Sequence, residues 1–259
     1  MTQGDADARY ILRNGRGMRV AVSAHDASLL SWWAPDRYGR MADVLAATLR
    51  PSSPICWQCD ALTEASVSLS ILQDGVAARL HYRLDDDGSL HIDGEATAGT
   101  VARLALPAPW FNLCGREAGV GDHVLRLAAG HYYPSGAAGS GPREVAGSAF
   151  DFRQPAPISA RLAWPGASCH DGFDHVFCLA GDAVLHDAAM VTDPASGRVL
   201  RFFTGGLRLH VLTGASRFCL APLALEILPG QVARQMLVYR LGVADIDALG
   251  VNQTINKET

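Results

Sequence analysis

Hydrophobic and polar residues alternate with a period of two along much of this chain. In Ala77–Leu84, two leucines and Tyr82 fall on one face, and two arginines and His81 fall on the other. This alternation is typical of a half-buried β-strand. The next alternating run follows Asp85-Asp-Asp-Gly88, whose residue types favour a tight turn. The two runs therefore predict a β-hairpin.

Strand-like runs of similar length recur along the rest of the chain, and no long helical pattern interrupts them. Clusters of Pro, Gly and Asp, as in Pro35–Gly39 and Asp193–Gly197, separate the runs and are typical of turns. Many short strands with frequent turns predict an all-β fold, as a sandwich or a closed barrel. The further strand candidates are Met18–Ser23, Leu29–Trp33, Val67–Leu72, Val124–Leu127, Ala188–Thr192, Val199–Phe203, Leu207–Leu212, Leu225–Leu228 and Val232–Leu241.

The chain has 259 residues, of which 49% are hydrophobic and 19% charged, so it can bury a sizeable core. All-β domains of about 200–250 residues commonly fold as one unit. The two irregular stretches, Ser135–Pro142 and Arg50–Asp60, show no change of composition around them and are interpreted as loops. We therefore predict a single domain over residues 1–259, with a polar tail from about residue 248.

The charge balance excludes several classes of function. A net charge of −4 and a pI near 6.1 argue against nucleic-acid binding, which requires clustered cationic residues. The single lysine, Lys257, lies in the polar tail, so Schiff-base chemistry on a buried amine is not expected. No apolar run has the roughly 20 residues of a membrane span, and the polar start does not have the pattern of a secretory signal. A soluble, cytoplasmic protein is expected.

Six cysteines are present, and in the cytoplasm they are expected to stay reduced. Cys56 and Cys59 have the spacing of half a zinc or redox site. A four-ligand site needs a second matched pair, which the sequence lacks, so both are interpreted as ordinary thiols. We expect no metal and no cofactor.

Several segments occur together in a specific order over residues from about 17 to 241. They are Ala27–Trp32, Pro35–Gly39, Ala42–Val44, Trp110–Leu113, Asp122–Leu125, Tyr133-Pro134, Val145–Arg153, Gly172–His175, Asp193–Arg198 and Phe218–Leu220. This ordered set resembles the aldose 1-epimerase (galactose mutarotase) family. The resemblance implies a large antiparallel β-sandwich of the galactose-mutarotase type, with a sugar-binding cleft on a concave sheet.

The resemblance also implies which residues should carry the chemistry. In the family, a carboxylate removes the proton of the anomeric hydroxyl while a histidine protonates the ring oxygen, which is paired acid–base catalysis. Ala108 stands at the position of that histidine, and Ala221 stands at the position of the glutamate. The Leu45–Ser66 interval is also short and lacks the family's cleft-lining Asn-Arg and His-Gly segments. Efficient mutarotation is therefore not expected.

One ligand residue of the family is retained. Asp174, in Gly172-Phe-Asp-His175, matches the aspartate that accepts hydrogen bonds from sugar hydroxyls. Trp110, beside the substituted position, is a candidate stacking residue, and His210 is a candidate substrate-binding residue on the polar side of its strand. His170 and His175 are the candidate catalytic residues, because histidines titrate near neutral pH. Each histidine could equally be structural.

Three hypotheses remain open. The first is a pseudoenzyme-like protein that binds a sugar or related polyol and mutarotates poorly, or an active mutarotase that uses substitute residues. The second is an isomerase, cyclase or lyase acting on a larger substrate through His170, His175 or Asp174. The third is a non-catalytic protein that uses the concave sheet as a protein interface. In the first two a small molecule is the partner, and the sequence gives no oligomeric state.

Overall fold

The structure is a computed structural model that describes residues 8–46, 57–115, 118–134, 141–164, 172–181 and 185–244. Within these ranges the chain forms β-strands and one short helix, α1, over Ile158–Leu162. The strands β1 to β21 span, in order, Arg9–Arg13, Arg19–Ser23, Leu29–Pro35, Met41–Asp43, Gln58–Leu62, Ser66–Gln73, Val76–Leu84, Ser89–Ala98, Ala102–Leu104, Trp110–Phe111, Val124–Leu127, Ala129–Tyr133, Arg143–Glu144, Ala156–Pro157, Asp174–Leu179, His186–Thr192, Arg198–Thr204, Arg208–Thr213, Phe218–Pro222, Leu225–Ile227 and Val232–Val243.

The strands assemble into sheets in which every pairing is antiparallel. A nine-stranded sheet has the order β14-β11-β16-β17-β21-β8-β7-β6-β5, and a six-stranded sheet has the order β10-β19-β18-β15-β12-β13. Smaller sheets are formed by β1-β2-β3-β4 and by β20-β9. The predicted all-β, antiparallel fold class is confirmed.

The hairpin predicted from the alternation is present as β7 and β8, which pair from Val76 opposite Ala98 to Leu84 opposite Leu90. The turn between them requires a glycine. Gly88 has φ of +83°, and a Cβ at this position would lie 2.2 Å from the carbonyl oxygen of Leu241. Only glycine combines this backbone angle with so close an approach.

The two large sheets pack face to face, as a sandwich requires. Tyr239, from the nine-stranded sheet, has its ring centroid 5.5 Å from that of Phe111, which belongs to the six-stranded sheet. Its hydroxyl donates a hydrogen bond of 2.9 Å to the carbonyl oxygen of Leu220. Burial raises the pKa of Tyr239 well above its usual value, which keeps the phenol protonated as a donor. The core therefore has a polar link between its two layers.

The last residues of the predicted loop Arg50–Asp60 form a strand, because β5 begins at Gln58 and pairs with β6 at the sheet edge. Residues 50–56 of that loop lie outside the described residues. The mixed residue types of this edge strand show little alternation, so the pattern did not predict it. The predicted strand Leu225–Leu228 is confirmed as β20, Leu225–Ile227, which pairs with β9 in the small two-stranded sheet.

Candidate functional site

One surface of the six-stranded sheet collects most of the residues predicted to form a site. We call it the outer face and define it by the side chains of Asp174, Val176, Arg208, His210 and Ala221. Cross-strand partners lie on the same side of a sheet, and alternate residues of a strand share a side. Val176 lies opposite His210, and His210 lies opposite Ala221, so these three form one row across β15, β18 and β19.

Asp174 and His210 form a direct side-chain pair on this face. His210 Nε2 lies 2.6 Å from Asp174 Oδ1, although the two residues are 36 positions apart in sequence. The Asp174 side chain is 64% exposed and the His210 side chain is 31% exposed, so a solute can reach both. A carboxylate that holds an imidazole in this way fixes its orientation, and the pair can accept or donate protons with a bound molecule.

Of the two alanines predicted to replace the family's acid and base, the structure places Ala221 beside this pair and Ala108 near Cys219 on β19. Ala221 is the direct cross-strand neighbour of His210. The carbonyl oxygen of Ala108 accepts a weak hydrogen bond of 3.6 Å from Cys219 Sγ. Cys219 lies two residues before Ala221 on β19. Ala108 also lines a small surface cavity of about 90 Å³. Neither alanine side chain can transfer a proton, and Ala221 is the one that adjoins His210.

Trp110 shares the outer face but stands apart from Asp174. The residues Trp110, Cys219, Leu212 and Asp174 form one cross-strand row, so three strand spacings, or about 14 Å, separate its ends. One side of the Trp110 ring is covered by Arg217, whose guanidinium carbon lies 4.5 Å from the ring centroid. One hexose ring is too small to stack on Trp110 and bond Asp174 together.

The structure places His175 on the opposite side of the sheet from Asp174. Its side chain is buried among aromatic rings, with the centroid of Phe150 at 4.4 Å and that of Tyr132 at 5.8 Å. Nδ1 accepts a hydrogen bond of 3.2 Å from the backbone N–H of Asp174, and burial lowers the pKa of the imidazole. This position does not support the predicted catalytic role. The other candidate, His170, lies outside the described residues.

The backbone before Asp174 is held against the end of β18 by an unusually close approach. A Cβ on Gly172 would lie 2.0 Å from the carbonyl oxygen of Thr213, and Gly172 has φ of +123°. The next residue, Phe173, donates its N–H to Thr213 Oγ1 at 2.7 Å and accepts the Thr213 N–H at 2.8 Å. Gly172 thus sets the register that brings Asp174 beside His210.

Arg208 and Tyr133 belong to this surface and were not predicted as site residues. Arg208 lies two residues before His210, and Tyr133 lies opposite Val176 on β12. The Arg208 guanidinium carbon is 5.1 Å from the Tyr133 ring centroid, and Nη2 donates a hydrogen bond of 3.3 Å to the tyrosine hydroxyl. The alternation of Arg208 with His210 along the strand was the available sequence signal.

A larger cavity, of about 830 Å³, lies beside Arg217 and is lined by Asp43 and Asn112, among others. Burial raises the pKa of Asp43 above its usual range. Its Oδ1 accepts hydrogen bonds from the backbone N–H groups of Trp32, at 2.9 Å, and Leu45, at 3.1 Å. The bonded oxygen of this carboxylate therefore fixes the local backbone.

Within the described residues, Cys114, His123 and Asp193 bring three potential metal-ligand atoms within 4.8 Å of one another. His123 Nε2 accepts a hydrogen bond of 3.1 Å from the Leu113 N–H, so the ring proton resides on Nδ1. Asp193 accepts hydrogen bonds from the backbone N–H groups of two turn residues. The lone pair of His123 Nε2 is thus already committed to the backbone, which favours a structural role for this histidine.

Comparison with known proteins agrees with this architecture. The family model described as Aldose 1-epimerase matches residues 57–233, which is more than half of the chain. The chain belongs to the aldose 1-epimerase family. Galactose mutarotase from Homo sapiens is 34% identical over 135 residues, and aldose 1-epimerase from Escherichia coli K12 is 33% identical over 109 residues. These alignments cover 50% and 40% of this chain, but only 38% and 32% of those two relatives.

Solved structures of aldose 1-epimerase relatives share the fold across most of the chain. A GalM/aldose epimerase homologue from C. elegans has a TM-score of 0.77 at 16% identity and covers 92% of this chain and 99% of that chain. Galactose 1-epimerase from Lactobacillus acidophilus has a TM-score of 0.71 at 18% identity, covering 91% and 94%. The predicted β-sandwich of the galactose-mutarotase type is therefore confirmed. In the described part of the chain, no helix has the length and apolar character of a membrane span.

Proposed function

We propose that this member of the aldose 1-epimerase family binds a sugar or related polyol on the outer face and mutarotates it only slowly. The observation that carries the proposal is the Asp174–His210 pair at 2.6 Å, directly beside Ala221. The pair offers an exposed carboxylate and an oriented imidazole to hydroxyl groups. Relatives that bear the names galactose mutarotase and aldose 1-epimerase support a sugar as the ligand class.

Slow mutarotation follows from the chemistry of Ala108 and Ala221. Each positioned acid or base contributes about 10²- to 10⁴-fold to a proton-transfer reaction. A methyl side chain can act neither as an acid nor as a base. The loss of both groups therefore lowers the mutarotation rate at least about 10⁴-fold if nothing replaces them. Glu226 is the next carboxylate along the chain after Ala221. It lies opposite Arg103 in the separate two-stranded sheet, so it does not take the place of the missing glutamate at position 221.

The same pair favours a second candidate, a proton-transferring enzyme with another reaction. In this function, His210 would act as the acid or base, and Asp174 would orient its imidazole. A mutarotase with substitute residues is one case of this candidate, and an isomerase, cyclase or lyase for a larger substrate is another. Both cases predict that activity depends on His210 rather than on His175.

The first experiment measures the interconversion of sugar anomers by NMR with freshly dissolved glucose and galactose. The expected rate is close to that of buffer alone. Binding of a panel of neutral sugars by calorimetry is then compared for the wild type, Asp174→Asn and His210→Gln. His81→Gln, on a strand of the nine-stranded sheet, is the matched control, since His81 bonds only Ser68 among the described hydrogen bonds.

Weaker binding in both outer-face variants, with unchanged binding in the control, supports the proposal. Anomer exchange at a rate typical of the family would contradict slow mutarotation. If that fast exchange is lost in His210→Gln, the second candidate replaces the first. If no panel sugar binds to the wild type, the outer face is not a site for neutral sugars.

We also predict that the protein acts in the cytoplasm with its thiols reduced. The described cysteines Cys59, Cys114, Cys178 and Cys219 carry thiols rather than disulfides. Burial raises the pKa of Cys219 to about 12 and also raises that of Cys178. Both side chains therefore remain protonated thiols near neutral pH rather than reactive thiolates. Fractionation of cells that express the full chain, followed by thiol labelling, measures both location and redox state.

A further inference from the structure

Arg208 occupies the outer face at a defined distance from His210. The two residues lie two positions apart on β18, so their side chains leave the sheet on the same side, about 7 Å apart. The guanidinium packs on the ring of Tyr133 and bonds its hydroxyl. A neutral aromatic group therefore positions the Arg208 cation.

The positive charge of Arg208 has no carboxylate partner in the described part of the chain. By contrast, Arg201, Arg234 and Arg240, on the nine-stranded sheet, each form an ion pair with an acidic side chain. The carboxylate of Asp174, on the same face as Arg208, is hydrogen-bonded to His210 instead. Arginine stays protonated under all physiological conditions, so an uncompensated cation faces the same solvent as the Asp174–His210 pair.

Ala221 contributes to the same electrostatic balance. A glutamate at this position would place a carboxylate directly opposite His210 and would repel an anion bound there. Alanine removes that repulsion from the neighbourhood of Arg208, which lies two positions before His210 on β18. Arginine also presents its N–H donors in a fork that matches carboxylate and phosphate groups.

From these positions we infer that the ligand is an anionic sugar, a sugar acid or a sugar phosphate. Its hydroxyl groups lie at Asp174 and His210, and its anionic group binds Arg208 and extends toward Tyr133. This inference rests on the proposed function and specifies its ligand class. The spacing of about 7 Å between the two anchor points suits one sugar ring with a charged substituent.

The test compares three probes that share one sugar frame: galactose, galacturonate and galactose 6-phosphate. Affinities are measured by calorimetry at low and at physiological salt for the wild type, Arg208→Gln and the control Arg234→Gln. Arg234 is exposed and pairs with Glu95 on the other sheet, so its removal changes the net charge equally. Urea unfolding of each variant verifies that the fold is retained.

We expect at least one anionic probe to bind wild-type protein about tenfold or more tightly than galactose, since contacts to charged groups are of this strength. Arg208→Gln should abolish that advantage, while Arg234→Gln should preserve it. A preference for galacturonate identifies a carboxylate, and one for galactose 6-phosphate identifies a phosphate. Higher salt should reduce the advantage.

Equal affinity of the wild type for all three probes overturns the inference and leaves the proposed sugar site intact. An advantage for anions that survives in Arg208→Gln also overturns it, because the cation responsible then lies elsewhere. If neither galactose nor either anion binds, and the neutral sugar panel is also negative, both the inference and the proposed function fail.

Discussion

Asp174 and His210 meet across a diagonal of neighbouring strands rather than directly opposite each other. In the register of β15 and β18, Asp174 faces Leu212 and His210 faces Val176. Diagonal neighbours on one face of a sheet are far enough apart that only long or ring-bearing side chains span the gap. The imidazole does so here and reaches the carboxylate at 2.6 Å. On the other neighbouring strand, β19, the residue directly opposite His210 is Ala221.

The exposed Asp174–His210 pair should matter for binding and little for stability. Ion pairs between exposed side chains contribute about 0–1 kcal/mol. We therefore expect Asp174→Asn and His210→Gln each to change the free energy of unfolding by less than about 1 kcal/mol, while sugar binding weakens about tenfold. Urea unfolding and calorimetry measure the two quantities. A large loss of stability with unchanged binding would assign the pair to the fold instead.

Restoring the two missing groups should raise mutarotation. Ala221→Glu places a carboxylate opposite His210, and Ala108→His places an imidazole at the other position implied by the family resemblance. The double variant is expected to exchange galactose anomers at least about 100-fold faster than the wild type, which is the lower end for one effective acid or base. NMR exchange measures the rate.

The matched control for this gain is the double variant Ala108→His with Ala221→Gln. Glutamine has the size of glutamate but accepts no proton, so its rate should stay near that of the wild type. Equal rates in the glutamate and glutamine variants would show that position 221 does not supply the base.

Replacing Gly172 with alanine should disturb both the fold and the site. The added Cβ would lie 2.0 Å from the Thr213 carbonyl oxygen, so the backbone must move. Such overpacking typically costs about 1–3 kcal/mol, and the movement displaces Asp174 two residues later. The control is Gly130→Ala, since Gly130 has no neighbouring atom within 4 Å of an added Cβ. Chemical unfolding should show a loss for Gly172→Ala only; equal stability of both variants would refute the tight approach.

Stability should fall below neutral pH because of two buried histidines. Burial lowers the pKa of His123 and of His175 in the folded protein. In the unfolded chain both take up a proton near pH 6.5, whereas the folded protein does so only at lower pH. The contribution of these two histidines to the free energy of unfolding is therefore complete above about pH 7. It decreases as the pH falls from about 6.5 towards the pKa values of the folded protein.

The variant His123→Gln tests this dependence, because glutamine keeps an acceptor for the Leu113 N–H and does not titrate. Its free energy of unfolding should vary less between pH 7 and pH 5 than that of the wild type, with the remaining slope due to His175. An unchanged slope would mean that His123 does not contribute. Urea titrations at several pH values give both slopes.

The sequence predicted strands in which hydrophobic residues form the buried side and polar residues form the other side. The run Ala77–Leu84 belongs to this class, because its alternation reports burial directly, and it appears as Val76–Leu84. The strand Asp174–Leu179 escaped prediction. Its buried set includes His175 along with Phe177 and Leu179, so the polar pattern does not match the buried pattern. The aromatic surroundings that bury His175 come from other segments and cannot be read locally.

The contacts of the candidate site depend on strand register, which one sequence does not specify. His210 was predicted as a binding residue because it alternates with Arg208, and this placed it on a polar side of its strand. Its pairing with Asp174 requires the alignment of β15 with β18, which Gly172 and Thr213 fix through the backbone. The separation of Trp110 from Asp174 likewise follows from the strand order of the sheet.

The division of β15, β18 and β19 into alternating positions has a consequence for how this protein can change. The side chains of Asp174, Val176, Arg208, His210 and Ala221 leave the sheet on one side, while Phe177, Leu209 and Leu220 enter the core on the other. Substitutions at the first set alter what the surface recognises without removing a core contact. A combinatorial library restricted to those five codons could therefore search for new ligand preferences while most of its members still fold.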